Sequence, residues 1–265
     1  MEPAPRRSIA YNIMVSGLKG GHSGDDINKN LANANKLLTR ILWQGANEFD
    51  LRVYDIQGGN LRNAIAREAM AVAFVPEEFQ EEFEEFVKVM EANFQREYQV
   101  TEPNLSVKAN VAETQPELVI DEMTQFDLLN ALYACPHGVI AMSQTIPNFV
   151  ETSTNLASVK KKEGFFFIQT SQRSSIESLK EDVANMVEAV FNLANAEVPN
   201  FKRSVVNFES ELKRAFESEA AAKNSFQLTT TDSRHMQINT PIDYRTVEPR
   251  RVTDYLSTSK ANGNN

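Results

Sequence analysis

The sequence predicts an α+β fold: a two-layer sandwich whose antiparallel sheet has ferredoxin-like β-α-β-β-α-β order, with helices on one face. A second helix-plus-strands unit follows. Three observations predict this. Apolar residues alternate with period two at Ile9, Tyr11, Ile13 and Val15, and again at Leu105, Val107, Ala109 and Val111, as half-buried strands require. They recur every three or four residues at Phe79, Phe83, Phe86, Met90 and Phe94, with glutamates between them, which is the stripe of an amphipathic helix. Along the first 112 residues the two periods take turns in the order of the ferredoxin-like motif.

Taken in order, residues 8–17 form the first strand and run into the loop Gly17-Leu18-Lys19-Gly20-Gly21-His22-Ser23-Gly24. A helix is expected from about Asp25 to near Gly45, because Ile27, Leu31, Ala34, Leu38 and Ile41 keep helical spacing and two aspartates suit a helix N-terminus. Leu51–Ile56 and Glu68–Val75 read as strands around the turn-rich Gly58-Gly59-Asn60-Leu61-Arg62-Asn63,. Pro76 opens the phenylalanine-striped helix, and the strand at 105–111 closes the first half, 8–112. In the second half, 118–196, a helix over 120–134 precedes strands at 139–143, 150–160 and 165–171. Lys160-Lys161-Lys162-Glu163-Gly164 is the hairpin between the last two,. A helix from about Ser175 to Ala194 ends the unit, which either extends the first sheet or builds a second layer. From 197 to 265 the texture changes: a charged helix is expected over Glu209–Lys223, the stretch from Thr229 is polar and aperiodic, and the end is expected to be disordered.

Composition bounds the function. Twenty-seven Lys and Arg against 36 Asp and Glu give a net charge of −9, which disfavours nucleic acid and anionic membranes as partners. One cysteine, Cys135, excludes an internal disulfide framework and fits a reducing, cytoplasmic compartment. No apolar run reaches the roughly 18 residues of a membrane span, and the N-terminus lacks the apolar core of a secretion signal. The three histidines, His22, His137 and His235, stand far apart and show no zinc-ligand spacing,.

Three residues carry candidate chemistry. His22 sits in the glycine loop, where flanking glycines admit unusual backbone angles and a close ligand. Free amides at a helix start favour an anion, and a histidine there can donate to a carboxylate or a developing oxyanion. The plainer alternative is a helix-start loop with an exposed histidine. Asn63 is either turn chemistry or an amide donor to a substrate carbonyl. Arg173 leaves the apolar strand Phe165–Gln172 just before a helix; it is either a solvated strand-end charge or a bidentate clamp on a carboxylate. Cys135, in an apolar run, reads as a small buried residue, and His137, behind Pro136, as a turn or helix-end residue.

Together these segments resemble the lid domain of bacterial aminoacyl-histidine dipeptidases, zinc metallopeptidases of the family that includes carnosinases and carboxypeptidase G. The resemblance is carried by Gly17–Ile27, Leu31-Ala32-Asn33-Ala34-Asn35-Lys36, Gly58–Ala69, Pro136-His137-Gly138-Val139-Ile140, Val150–Ala157 and Ser171-Gln172-Arg173-Ser174-Ser175. It spans residues 8–196 in the correct order. It implies a lid that dimerises and closes over substrate, beside a catalytic domain holding two zinc ions. By resemblance, His22 reaches the partner subunit's active site and steadies the tetrahedral intermediate, Asn63 contacts substrate across the dimer, and Arg173 binds the substrate carboxylate.

The departures are equally specific. The family's metal ligands, a His-x-Asp motif, two further Asp, a Glu-Glu pair and a late His, have no counterpart here, so this chain is expected to bind no zinc itself. Residues 199–265 match no part of the family, and Asn148 stands where relatives carry glycine. Two readings follow. In one, the chain is part of a homodimeric dipeptidase acting on aminoacyl-histidine or β-alanyl-histidine substrates, with a separate catalytic domain as partner. In the other, it is a non-catalytic dimerisation module of the same fold.

Overall fold

The computed structural model describes residues 1–162, 164–196, 202–205 and 234–243. The first half contains β1 (Glu2–Pro3), β2 (Ser8–Ser16), β3 (Gly21–His22), α1 (Ala34–Glu48), β4 (Arg52–Gly58), β5 (Ala64–Ile65) and β6 (Ala69–Pro76). A single 3-10 turn, Glu77–Phe79, leads into α2 (Gln80–Glu97), and β7 (Ser106–Val111) follows. The second half contains β8 (Leu118–Val119), α3 (Glu122–Ala134), β9 (Gly138–Met142), β10 (Val150–Lys162), β11 (Phe165–Ser174) and α4 (Glu177–Leu193). Two further strands, β12 (Lys202–Val205) and β13 (Arg234–Asp243), are described by their backbone.

One large antiparallel sheet runs β12-β13-β11-β10-β4-β6-β2-β7, and β9 also pairs with β10. The helices lie against one face. On β2, Tyr11, Ile13 and Val15 are buried beneath them, while Met14 on the opposite face is 44% exposed; the alternation read from sequence is thus a real division between core and solvent. The glutamate-rich helix α2 turns Phe83, Val87, Met90 and Phe94 inward. Phe83 meets the Tyr11 ring at 5.3 Å and the Phe49 ring at 6.0 Å, an aromatic cluster that locks helix to sheet.

The open choice for the second half resolves as extension of the same sheet. Strand β10 pairs with β4 through Val159 opposite Gly58 and Lys160 opposite Gln57. The close approach has a visible cause at Gly59, where φ is +66° and a Cβ would lie 1.9 Å from the Ala157 carbonyl oxygen. Asn148, expected at a glycine position, has φ +61°, a left-handed conformation that asparagine tolerates better than most residues.

Two expectations are corrected. Helix α1 starts at Ala34, not near Asp25. Ile27 keeps its place in the helical spacing but is buried from an irregular loop, and Asn30 has φ +53°. The effective cap is Asn33, whose side chain accepts the Asn35 and Lys36 amides, a stronger start signal than the acidic pair. The glycine loop therefore does not abut a helix N-terminus, and the anion reading based on free helix amides falls with it. Residues 234–243, read as aperiodic, form a strand paired with Phe165–Gln172 of β11. An edge strand leaves a row of unpaired backbone groups, and pairing satisfies them without side-chain periodicity. The helix expected over 209–223 and the expected disorder at the end lie outside the described residues.

Helices α1 and α3 are joined by one cation. The Lys36 ammonium donates to the carbonyls of Leu132, Tyr133 and Cys135 at 2.8, 2.7 and 2.8 Å, closing the C-terminal end of α3 where backbone acceptors lack helical partners. Burial pulls the Lys36 pKa below its ordinary value, so the charge is held at a cost that these three bonds offset. Lys36→Met, which keeps the apolar stem, is expected to destabilise the fold by about 2 kcal/mol, read as a lower midpoint in urea unfolding.

Candidate functional site

The three candidate residues converge. Strand β3 pairs with β5, with His22 opposite Ala64 and Gly21 opposite Ile65, and the Ser23 amide donates to the Asn63 carbonyl at 2.8 Å. His22 and Asn63 are thereby neighbours through backbone alone. Arg173 comes from the far end of β11, where it stands opposite Ser153 of β10. Its guanidinium lies against Gly24: a Cβ there would sit 2.6 Å from Nη1 and 3.0 Å from Cζ of Arg173, and 3.3 Å from Cε1 of His22. Gly24 is therefore the gap across which the imidazole and the guanidinium face one another, and any side chain at that position would displace one of them.

The His22 side chain is 29% exposed and Asn63 is exposed, so both can be reached from solvent. The ring is oriented by its own loop. Nδ1 accepts the Asp25 amide at 3.2 Å, which puts the proton of the neutral ring on Nε2 and makes that atom the donor. The Asp25 carboxylate also lies 3.2 Å from Nδ1, so a protonated ring donates to it instead. Asp26 closes the loop from below: its Oδ2 accepts the His22 amide at 2.7 Å. The Lys29 ammonium, and after it the His22 amide, hold the Asp26 carboxyl below the ordinary carboxylate range.

Behind the exposed residues lies a buried polar network that sequence reading did not find. The fully buried Asn155 of β10 donates to the Ala64 carbonyl at 2.9 Å, one residue from Asn63. Asn33 donates to the Leu156 carbonyl at 2.9 Å and towards the Asn155 side-chain oxygen at 3.4 Å, while its own oxygen caps α1. His137 stands beside them, its Nδ1 3.5 Å from the Asn33 amide nitrogen and accepting the Leu156 amide at 3.4 Å. It lies in the connection that leaves the end of α3 for β9, with its ring turned towards this network. Burial first, and the Lys36 ammonium second, push its pKa down to about 4, which leaves it neutral at physiological pH. Cys135 is buried as expected, and burial pushes its thiol up to about 12, far from a reactive thiolate. The Asn33 signal was legible as an asparagine directly before an apolar helical run; Asn155, inside a buried strand, left no local signal.

All three displayed groups are hydrogen-bond donors. Among the described residues, no group of three or more His, Cys, Asp or Glu side chains is placed to hold a metal ion, so those residues do not fit a zinc centre. No helix among them is long and apolar enough to cross a membrane.

Residues 6–102 match the family model described as Peptidase dimerisation domain. Over 196 residues the chain is 36% identical to the cytosol non-specific dipeptidase of Escherichia coli K12, covering 74% of this chain and 40% of that protein. The crystal structure of aminoacylhistidine dipeptidase from Vibrio alginolyticus superposes with a TM-score of 0.72 at 35% identity, again over 74% of this chain and 40% of that one. The chain thus spans about 40% of the length of these dipeptidases. A separate likeness, 42% identical over 86 residues, is to the flagellar basal body rod protein FlgB of Borreliella burgdorferi, covering 32% of this chain and 62% of that protein.

The depressed His137 pKa gives a pH signature. Its neutral form is favoured in the folded state, so its contribution is full above about pH 6.5, the unfolded histidine value, and is lost as pH falls towards 4, levelling off below. The loss amounts to roughly 3 kcal/mol. His137→Gln, whose amide oxygen can accept the Leu156 amide, is expected to flatten the stability profile between pH 6.5 and 4.5 in urea titrations. A profile identical to that of the parent chain would show that His137 does not titrate as its burial requires.

Proposed function

We propose that the peptidase dimerisation domain carried by this chain is the lid of a dipeptidase whose metal-binding half lies outside it. His22, Asn63 and Arg173 act on a substrate held at that half. The observation that carries the reading is the meeting of imidazole and guanidinium across Gly24, beside Asn63. Such a set of donors complements an aminoacyl-histidine dipeptide, including the β-alanyl kind. The guanidinium takes the C-terminal carboxylate in two parallel bonds, the Asn63 amide donates to a substrate carbonyl, and His22 Nε2–H donates to the scissile oxygen as it gathers negative charge. The last of these raises the rate because the bond strengthens on the way to the transition state. Two zinc ions, bound by the other half, would supply the activated water. The reading places the protein in the cytoplasm, in keeping with the name of its Escherichia coli relative and its single cysteine. It also makes the protein a homodimer, in which His22 serves the partner subunit's site.

Replacing the lid of the Escherichia coli dipeptidase with residues 8–196 tests this reading. The hybrid is expected to hydrolyse aminoacyl-histidine. In it His22→Ala should lower kcat by about 10²–10³ with little change in KM, and Arg173→Met should chiefly raise KM. Indifference to both changes would reduce the chain to a dimerisation module. The isolated chain, given zinc and dipeptide, is expected to show no turnover and to sediment as a dimer at micromolar concentration; hydrolysis by pure material would sink the proposal.

A further inference from the structure

We infer that Glu102 is the positioning residue of the His22 loop, holding both ends of that loop with one buried carboxylate. The inference rests on the dipeptidase reading for its functional meaning, but its structural content stands by itself. Glu102 is 1% exposed and lies in the turn between α2 and β7. Its Oε2 accepts the Lys19 amide at 2.8 Å and its Oε1 accepts the Ala32 amide at 3.1 Å. Between those two amides lies everything that the connection from β2 to α1 contributes to the site: β3, His22, Gly24 and the Asp25–Asp26 turn.

The carboxylate is itself held from both sides. Its backbone amide donates to the Tyr98 carbonyl at 2.8 Å, and its carbonyl accepts the Leu105 amide at 3.1 Å, which fixes it to the end of α2 and the start of β7. The turn nests against the beginning of the loop at Gly17, where φ is +77° and a Cβ would stand 1.9 Å from the Asn104 carbonyl oxygen. A buried carboxylate is costly to desolvate and persists only where strong partners satisfy it; two backbone amides, one on each oxygen, are such partners. The β3–β5 pairing sets His22 against Asn63, and Asn155 of β10 ties the β5 side of that pair to the sheet that carries Arg173. Glu102 ties the two ends of the loop on the β3 side to the same body, since α2 and β7 belong to the packed part of the fold. Its loss would let the loop move as a unit relative to Arg173, widening the gap at Gly24.

Glu102→Gln in the full chain tests the assignment by amide hydrogen exchange. The substitution keeps shape but turns one acceptor oxygen into a donor facing an amide N–H. Exchange of the amides in residues 19–32 is expected to quicken at least tenfold, with amides of β2 and β6 within twofold of the parent. If the loop amides exchange at the parent rate, or if exchange rises equally across the sheet, Glu102 is not a positioning residue and the inference is overturned. Should Glu102→Gln fail to fold, Glu102→Asp answers the same question: a stem one methylene shorter reaches one amide but not both, and selective quickening in 19–32 is again the expected result. In the lid-replacement enzyme the same change should lower kcat at least tenfold. Selective loop exchange without any kinetic effect would leave Glu102 as the clamp and overturn the dipeptidase role of the loop, so the two failures are distinguishable.

Discussion

The site depends on one constraint: a long, partly buried irregular connection must satisfy its backbone amides without a ladder of its own. Between β2 and α1 only Gly21 and His22 pair as strand, so the remaining amides must find acceptors from elsewhere. Side chains supply them. Glu102 takes the amides of Lys19 and Ala32, Asp26 takes that of His22, and Asn33, where the connection ends, takes the Asn35 and Lys36 amides in the first turn of α1. Each of these acceptors is buried or partly buried, and an unmet partner there costs more than the bond itself contributes. The loop is therefore specified as sharply as a strand would be, by polar groups drawn from several separate stretches of sequence.

A second relation follows from how the sheet grows. Because β10 joins β4 and not a new layer, the chain segment that carries Arg173 enters the sheet that already carries the His22 loop. Asn155 makes the join useful. Seated on β10, its amide reaches Ala64 on β5, while its own strand pairs with β11 and so with Arg173. Tertiary placement of the guanidinium is thus a consequence of strand order, and local placement of the imidazole a consequence of hydrogen-bonded turns. The two meet at a residue without a side chain, Gly24, and the meeting requires both.

This division explains what was legible beforehand. Strands β2, β4, β6 and β7 and helix α2 declare themselves because their burial alternates with the period of their backbone. The start of α1 misleads because Ile27 and Leu31 have helical spacing but are packed from a loop, and spacing alone cannot tell the two apart. His22, Asn63 and Arg173 were legible as residue types and through family resemblance. Their convergence was not, since it requires the β10–β4 pairing, which no short window contains. Glu102 and Asn155 were invisible for the same reason: a glutamate after a glutamate-rich helix and an asparagine in a polar-apolar strand look ordinary until the distant amides they hold are known. Strand β13 was hidden for another reason, since its pairing uses backbone groups that every sequence has.

The chemistry of the assembled site also has a direction. An imidazole with its proton on Nε2, a carboxamide and a guanidinium are all donors; His137 nearby is held neutral by burial, and its Nδ1 already accepts a backbone amide. The Asp26 carboxylate is engaged by Lys29 and by the loop. Donors of this kind stabilise negative charge that develops close to them, and the largely exposed Asp25 carboxylate is turned to the His22 ring. The chain is net acidic and the loop itself carries Asp25 and Asp26, so on the proposed reading the three donors would act on an anion through directed hydrogen bonds and not through a positive field. On the proposed reading these donors stabilise charge, and the base and the nucleophile come from the other half of the enzyme.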